Sequence, residues 1–199
     1  MTKKYCINRF YRARSQNLHW DDSAEEDKYQ LEIYLHALGL MKKYNLNSVI
    51  DIGCGSAYKL ITYLSEYKTL GLELPVNVEL LKKNYPDREW QVSDFSRTSN
   101  LTTDVVICSD VIEHLADPDE LLDFIKGIGV KYIIFSTPDR SLMFKKWDPR
   151  YYGKPLNKSH IREWNFKEFR EYISMHFHVI DQRITNMGQF TQMIICKPK

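Results

Sequence analysis

Two groups of residues in this 199-residue sequence are of types and spacings that could do chemistry. The first is Val49-Ile50-Asp51-Ile52-Gly53-Cys54-Gly55-Ser56-Ala57. Alternating glycines directly after a strand-like run let the backbone turn tightly and approach a ligand, with a helix N-terminus behind. A plain strand-to-helix turn would use the same glycines. Asp51 argues for more: a loop that only cradles pyrophosphate has no use for negative charge, whereas an amino group or a sulfonium welcomes it. Glu73 ends the next apolar run twenty-two residues later, where a carboxylate can accept both hydroxyls of a ribose. The second group is Ser109-Asp110-Val111-Ile112-Glu113-His114, three titratable side chains just past a buried run, joined by His160 in Asn157-Lys158-Ser159-His160-Ile161-Arg162-Glu163-Trp164. Acids after a strand usually cap the next helix, and Asp117 before Pro118 is placed for that task. Capping explains Glu113 and His114 less well.

These residues need a scaffold, and the hydrophobic periods describe one. Apolar residues at helical spacing between Asp27 and Tyr44 predict an amphipathic helix. Strand-like runs then alternate with helical ones: strands at 48–52, 69–74, 90–92, 104–109 and 131–136, helices at 58–67, 76–84 and 118–126. Such alternation implies right-handed crossovers and a mostly parallel sheet covered on both faces. Thr137 to Trp164 is long, polar and without a clear period, as functional lids and binding loops often are. Asn165 with Glu168 three residues on resembles a capping box that opens a further helix. The runs 176–184 and 190–196, separated by Thr185-Asn186-Met187-Gly188, fit an antiparallel hairpin. Residues 1–26 read as an N-terminal arm or lid, and 27–199 as a single domain.

With these motifs in place, the chain resembles the class I S-adenosylmethionine-dependent methyltransferases. Their first motif is an acid followed by alternating glycines, matched by Asp51, Gly53 and Gly55, with Ala57 where the third glycine is usual. The resemblance implies an α/β, Rossmann-like, mostly parallel seven-stranded sheet with a C-terminal antiparallel hairpin and helices on both faces. It implies that Glu73 binds the ribose, Asp94 the adenine amino group, Phe95 the adenine face, and Ser109-Asp110 the methionine end of the cofactor. Two narrower resemblances meet in the second half. Ser136 to Asp139, His160 to Trp164 and Glu168-Phe169 are similar to bacterial methyltransferases of glycan and other small-molecule biosynthesis. Asp110, Glu113, His114 and His160 are similar to a set that can hold a divalent metal in small-RNA 2′-O-methyltransferases, with Asp110 where Glu is usual. Methyl transfer from a sulfonium to oxygen is an in-line displacement that must align the acceptor and relieve its hydroxyl of a proton. A neutral histidine with a pKa of ~6.5 can take that proton, or a bound metal can lower the hydroxyl's pKa. His160, His114 and Glu113 are therefore the catalytic candidates, and whether a metal is used stays open.

Composition bounds the partners. Hydrophobic residues make up 43% of the chain, enough for a real core, and no apolar run approaches the ~20 residues of a membrane span. A formal charge of +2 is too small for bulk-charge binding of nucleic acid. The four cysteines lack CxxC spacing, which argues against a zinc knuckle or disulfide framework and for reduced thiols in a cytoplasmic protein. No signal peptide is visible. The leading expectation is therefore O-methylation of a small-molecule, sugar or glycan-precursor acceptor. The rivals are an RNA-end 2′-O-methyltransferase, a nicotinamide-dependent dehydrogenase and a nucleotide-binding scaffold without activity. Asp51 and the terminal hairpin argue against the dehydrogenase, and the complete motif set argues against the scaffold. The lone basic cluster Lys145, Lys146, Arg150 and Lys154 reads as a solvated face, Tyr151-Tyr152 as loop anchors, and His176 and His178 as strand histidines.

Overall fold

The computed structural model describes residues 4–16, 18, 26–95 and 100–199. His19, Trp20 and the acidic residues 21–25 of the expected arm lie outside the described residues. Seven strands form one sheet: β1 (Ser48–Ile52), β2 (Lys68–Glu73), β3 (Glu89–Val92), β4 (Thr102–Ser109), β5 (Gly129–Pro138), β6 (His178–Asn186) and β7 (Thr191–Lys197). Their spatial order is β3-β2-β1-β4-β5-β7-β6, with β1 to β5 parallel and β7 antiparallel to both neighbours. The helices are α1 (Leu31–Tyr44), α2 (Tyr58–Leu64), α3 (Pro75–Asn84), α4 (Pro118–Lys126), α5 (Arg140–Met143) and α6 (Phe166–His176).

The two-residue period of a strand divides the core into two layers. Ile50, Ile52, Val106 and Cys108 face one side and pack with Leu121, Phe124 and Ile125 of α4 and Phe169 and Ile173 of α6. Val49, Val105 and Ile107 face the other side, against Ile33 and Met41 of α1, Leu60 and Leu64 of α2 and Leu81 of α3. Central strands buried on both faces read as continuous apolar runs, which is why they were legible. The order reverses between β1 and β4, so a crevice opens beyond their carboxyl ends.

Several boundaries differ from the sequence reading. Helix α1 starts at Leu31 because Gln30 before it is left-handed, at φ 66°. His176 ends α6 rather than belonging to a strand, and β6 begins at His178. The connection after β5 is built rather than structureless. It holds α5, a 3-10 turn at Pro149–Tyr152 and a bridge from Asp139 to Trp164. Arg140, 1% exposed, ties it together through Glu168 Oε2 at 2.6 Å and the Glu163 carbonyl, with its guanidinium over the rings of Tyr11 and Tyr151. The arm runs beside it: Arg12 N donates to the Tyr152 carbonyl, Arg14 N to that of Ile161 and Leu18 N to that of Lys158. Upstream, Ile7 is buried in the core layer of α4 and α6. These contacts join residues more than a hundred positions apart, so no local period announces them.

Candidate functional site

A cleft of about 700 Å³ lies beyond the carboxyl ends of the parallel strands. At one end Gly53 and Gly55 take positive φ, 71° and 55°. Gly53 is favoured on two counts, because a Cβ there would also stand 2.4 Å from Val111 Cγ2. Glu73 Oε1 accepts from Gly55 N at 3.1 Å and Oε2 from Leu74 N, so this buried carboxylate pins the glycine loop to the next strand. Each carboxylate oxygen keeps a second lone pair for a ligand hydroxyl. Asp94 and Phe95 line the same end, with Phe95 at φ 64° and tilted against Phe124 at 5.6 Å. Ser109 and Asp110 line the cleft where β4 ends.

Asp51 is placed differently. It is fully buried, its Oδ2 accepts from Tyr34 OH at 2.8 Å, and it is not among the residues that line the cleft. The reason is strand alternation: with Ile50 and Ile52 facing the α4 layer, Asp51 faces α1.

At the other end the expected convergence occurs. One ligand atom from each of Glu113, His114 and His160 lies within 4.8 Å of the other two, and the two imidazoles stand edge to face with centroids 4.8 Å apart. Glu113 and His114 ride on a single 3-10 turn, Ile112–His114, directly after β4. His160 is carried in from the long connection by backbone pairing: Ile161 N and Arg162 N both donate to the Glu113 carbonyl, at 2.9 and 3.3 Å. Arg162 adds two bonds of 2.7 Å to the carbonyls of Leu115 and Ala116, clamping the β4 loop to the connection.

Asp110 does not join this trio. It is left-handed at φ 54°, its Oδ1 accepts from Ser136 Oγ at 2.6 Å, and its Oδ2 accepts from Gln30 Nε2 at 3.3 Å. An aspartate is one methylene shorter than the glutamate usual there, and these two donors hold it back. Burial raises its pKa, opposed by those same hydrogen bonds. Glu113 is in a harsher position. Both its carboxylate oxygens are buried, with only poorly aligned hydrogen bonds from its own backbone N–H and the neighbouring Thr137 hydroxyl. Burial first, and the Asp110 charge second, raise the Glu113 pKa well above the usual carboxylate range. A buried carboxylate so weakly satisfied beside two imidazoles is what a divalent cation would relieve, and nitrogen with carboxylate oxygen suits first-row ions. The residues present therefore fit a cation held by Glu113, His114 and His160 once the Asn157 amide yields the lone pair of His160 Nε2.

Three participants escaped sequence reasoning. Gln30 caps the cleft by reaching Ser109 O and Asp110. Asn157 and Glu163 each contact a ring nitrogen of His160, at 3.0 and 2.7 Å. Their spacing of three residues on either side of His160 was the only available signal.

A methyltransferase domain family model matches residues 13–183. No curated protein matches the chain. Among solved structures, the chain is similar to the methyltransferase domain of bacterial CtHen1, with 21% identity, a TM-score of 0.65, and coverage of 84% of this chain and 97% of that one. It is also similar to magnesium protoporphyrin IX methyltransferase from Synechocystis PCC 6803 with bound SAH, at 14% identity, TM-score 0.64, and coverage of 85% and 83%. An S-adenosylmethionine-dependent methyltransferase from Clostridium acetobutylicum gives 13%, 0.65, and 84% and 91%. Identities this low carry the fold, and the family match over residues 13–183 carries the activity class. With the cleft, the glycine loop and the sheet order all of one kind, the chain belongs to the class I S-adenosylmethionine-dependent methyltransferases.

Proposed function

We propose that this enzyme methylates a hydroxyl oxygen, with the acceptor drawn to the Glu113, His114 and His160 cluster and S-adenosylmethionine laid along the rest of the cleft. The observation that carries the reading is the buried, weakly satisfied Glu113 carboxylate beside two imidazoles, because a carboxylate and imidazoles serve either to bind a cation or to accept a proton. Gly53 and Gly55 let the cofactor approach the backbone, Glu73 accepts from the ribose hydroxyls, and Asp94 and Phe95 take the adenine amino group and ring. Ser109 and Asp110 border the methionine end, with Asp51 acting through the loop. That leaves the sulfonium methyl at the end of β4, facing the turn that carries Glu113 and His114. Glu113, His114 and His160 would hold the cation, which would supply Lewis-acid stabilisation of the acceptor oxygen. The side chains meanwhile align that oxygen with the methyl group for in-line displacement.

The acceptor read from the sequence is a small polyol, sugar or glycan precursor, whose neighbouring hydroxyls suit such a site. A second reading, the terminal ribose of an RNA, is favoured by a charge asymmetry that the net +2 conceals. Residues 9–12 and the connection that the arm pairs with expose Arg9, Arg12, Lys145, Lys146, Arg150, Lys154 and Lys158, and the one acid between 144 and 158 is Asp148, already paired with Arg150 at 2.7 Å. Exposed Phe10 and Trp147 stand among these cations. Backbone phosphates bind to such a face and exposed rings stack on bases.

The test is transfer of labelled methyl from S-adenosylmethionine to sugars, phenols and RNA 3′ ends, with Mn²⁺ or with a chelator. The expected result is oxygen methylation, lost on chelation and restored by Mn²⁺. Activity indifferent to chelation replaces the cation with a histidine base, and methylation of nitrogen overturns the proposal. His160→Ala is expected to slow turnover ~10²-fold or more with cofactor affinity unchanged.

A further inference from the structure

His160 is held from both sides. Its Nδ1 lies 2.7 Å from Glu163 Oε1, and its Nε2 lies 3.0 Å from Asn157 Nδ2. The direction of the Asn157 amide follows from its other bonds: its Oδ1 accepts from Ser159 N at 3.0 Å and from Ser159 Oγ at 2.7 Å, which turns the NH₂ towards the imidazole. A ring nitrogen that accepts from an amide carries a lone pair. Nε2 is thus the bare nitrogen, and Nδ1 carries the hydrogen, donated to Glu163. His114 is set the same way by a neutral partner, because its Nδ1 lies 2.8 Å from the Ser159 carbonyl, which can only accept.

We propose that Glu163 is a positioning residue: its carboxylate holds His160 in the Nδ1–H tautomer and makes the opposite nitrogen, whose single lone pair the Asn157 amide holds until a cation displaces it, a stronger ligand for a divalent cation. This rests on the cation reading above. Carboxylate, imidazole and metal in series is a general device for orienting a ligand and raising its basicity. Glu163 is 3% exposed, so little water competes for its oxygens. Its backbone has separate work, its N–H donating to Tyr11 OH at 2.9 Å and its carbonyl accepting from Arg140. Side-chain variants keep both of those bonds and hence the path of the chain.

The experiment measures Mn²⁺ binding by calorimetry and electron paramagnetic resonance on the full chain, with S-adenosylmethionine binding as the control. Glu163→Gln should weaken Mn²⁺ by ~10–100-fold, Glu163→Asp should recover part of that, and cofactor affinity should stay as in the unaltered protein. Glu163→Gln with unaltered Mn²⁺ affinity, while His160→Ala loses it, overturns the positioning role and leaves the cation reading standing. An unaltered protein that does not bind Mn²⁺ sinks the cation reading instead. Nitrogen NMR of the His160 ring then decides on the tautomer in an Asn157→Ala background, where no amide donates to Nε2: a single Nδ1–H form that becomes a mixture on adding Glu163→Ala supports the lock, and the same form in both refutes it.

Discussion

Ala57 shows how a single residue can depart from a motif at small cost. It occupies the place of the usual third glycine and adopts the left-handed conformation all the same, at φ 56° and ψ 9°. That conformation costs an L side chain roughly 1–2 kcal/mol, while burying its methyl returns about 0.8 kcal/mol. Glycine would also cost entropy on folding. Ala57→Gly is therefore expected to change unfolding free energy by less than ~1 kcal/mol, read from the urea midpoint. Gly53 is the contrasting case. Gly53→Ala adds the left-handed penalty to a 2.4 Å clash with Val111, so a loss of more than ~2 kcal/mol is expected. Val111→Ala in the same chain should recover the clash and not the backbone cost. Recovery of neither would mean that the loop tolerates no side chain for another reason. Glu73→Ala removes the acceptor of the loop and, in the proposed binding mode, of the ribose, and should weaken S-adenosylmethionine by ~1.5–3 kcal/mol in calorimetry.

At the scale of elements, α6 separates what is local from what is not. The capping box expected from Asn165 and Glu168 is present: Asn165 Oδ1 accepts from Glu168 N at 3.0 Å, and Glu168 Oε2 accepts from Asn165 N at 3.1 Å. Both bonds span three residues, so the sequence alone predicts them. The same carboxylate also meets the Arg140 guanidinium, and Asn8 N donates to it at 2.9 Å, contacts of 28 and 160 residues' separation that no pattern announces. The consequence is unequal. Asn165→Ala should cost about 1 kcal/mol, as a cap does. Glu168→Ala should cost ~3–5 kcal/mol, because it strands a buried guanidinium. Equal losses in the two variants would show that Arg140 finds another partner.

For the molecule as a whole, acid should weaken the fold through two half-buried histidines. Burial lowers the pKa of His36 and of His176, in the second case helped by Lys126 and opposed by Asp119 and Asp123. The unfolded chain then takes up protons near pH ~6.5 while the folded chain does so only at lower pH. Stability from these groups is complete above that value and declines as pH falls towards the folded pKa values. The melting temperature should therefore drop between about pH 6.5 and 5, and less so in a His36→Gln, His176→Gln double variant. An identical slope in both proteins would assign the acid sensitivity to other groups. Of the described helices, none is long and apolar enough to cross a membrane.

What the sequence determined by itself was the scaffold and the chemistry at its strand ends. Apolar runs of period two, helices of period 3.6 and glycines after β1 are short-range signals, and burial acts on them directly. Glu113 and His114 were legible for the same reason, since they follow a strand by a few residues. The tertiary structure decided the rest. It turned Asp51 to the α1 face because alternation in β1 left it no other, and it held Asp110 back from the trio through Ser136 and Gln30. It brought His160 across 46 residues to His114 by pairing Ile161 and Arg162 with the Glu113 carbonyl. Such pairings depend on which surfaces meet once the sheet has formed. Their energy comes from desolvated partners distant in the chain, and a sequence pattern records only neighbours.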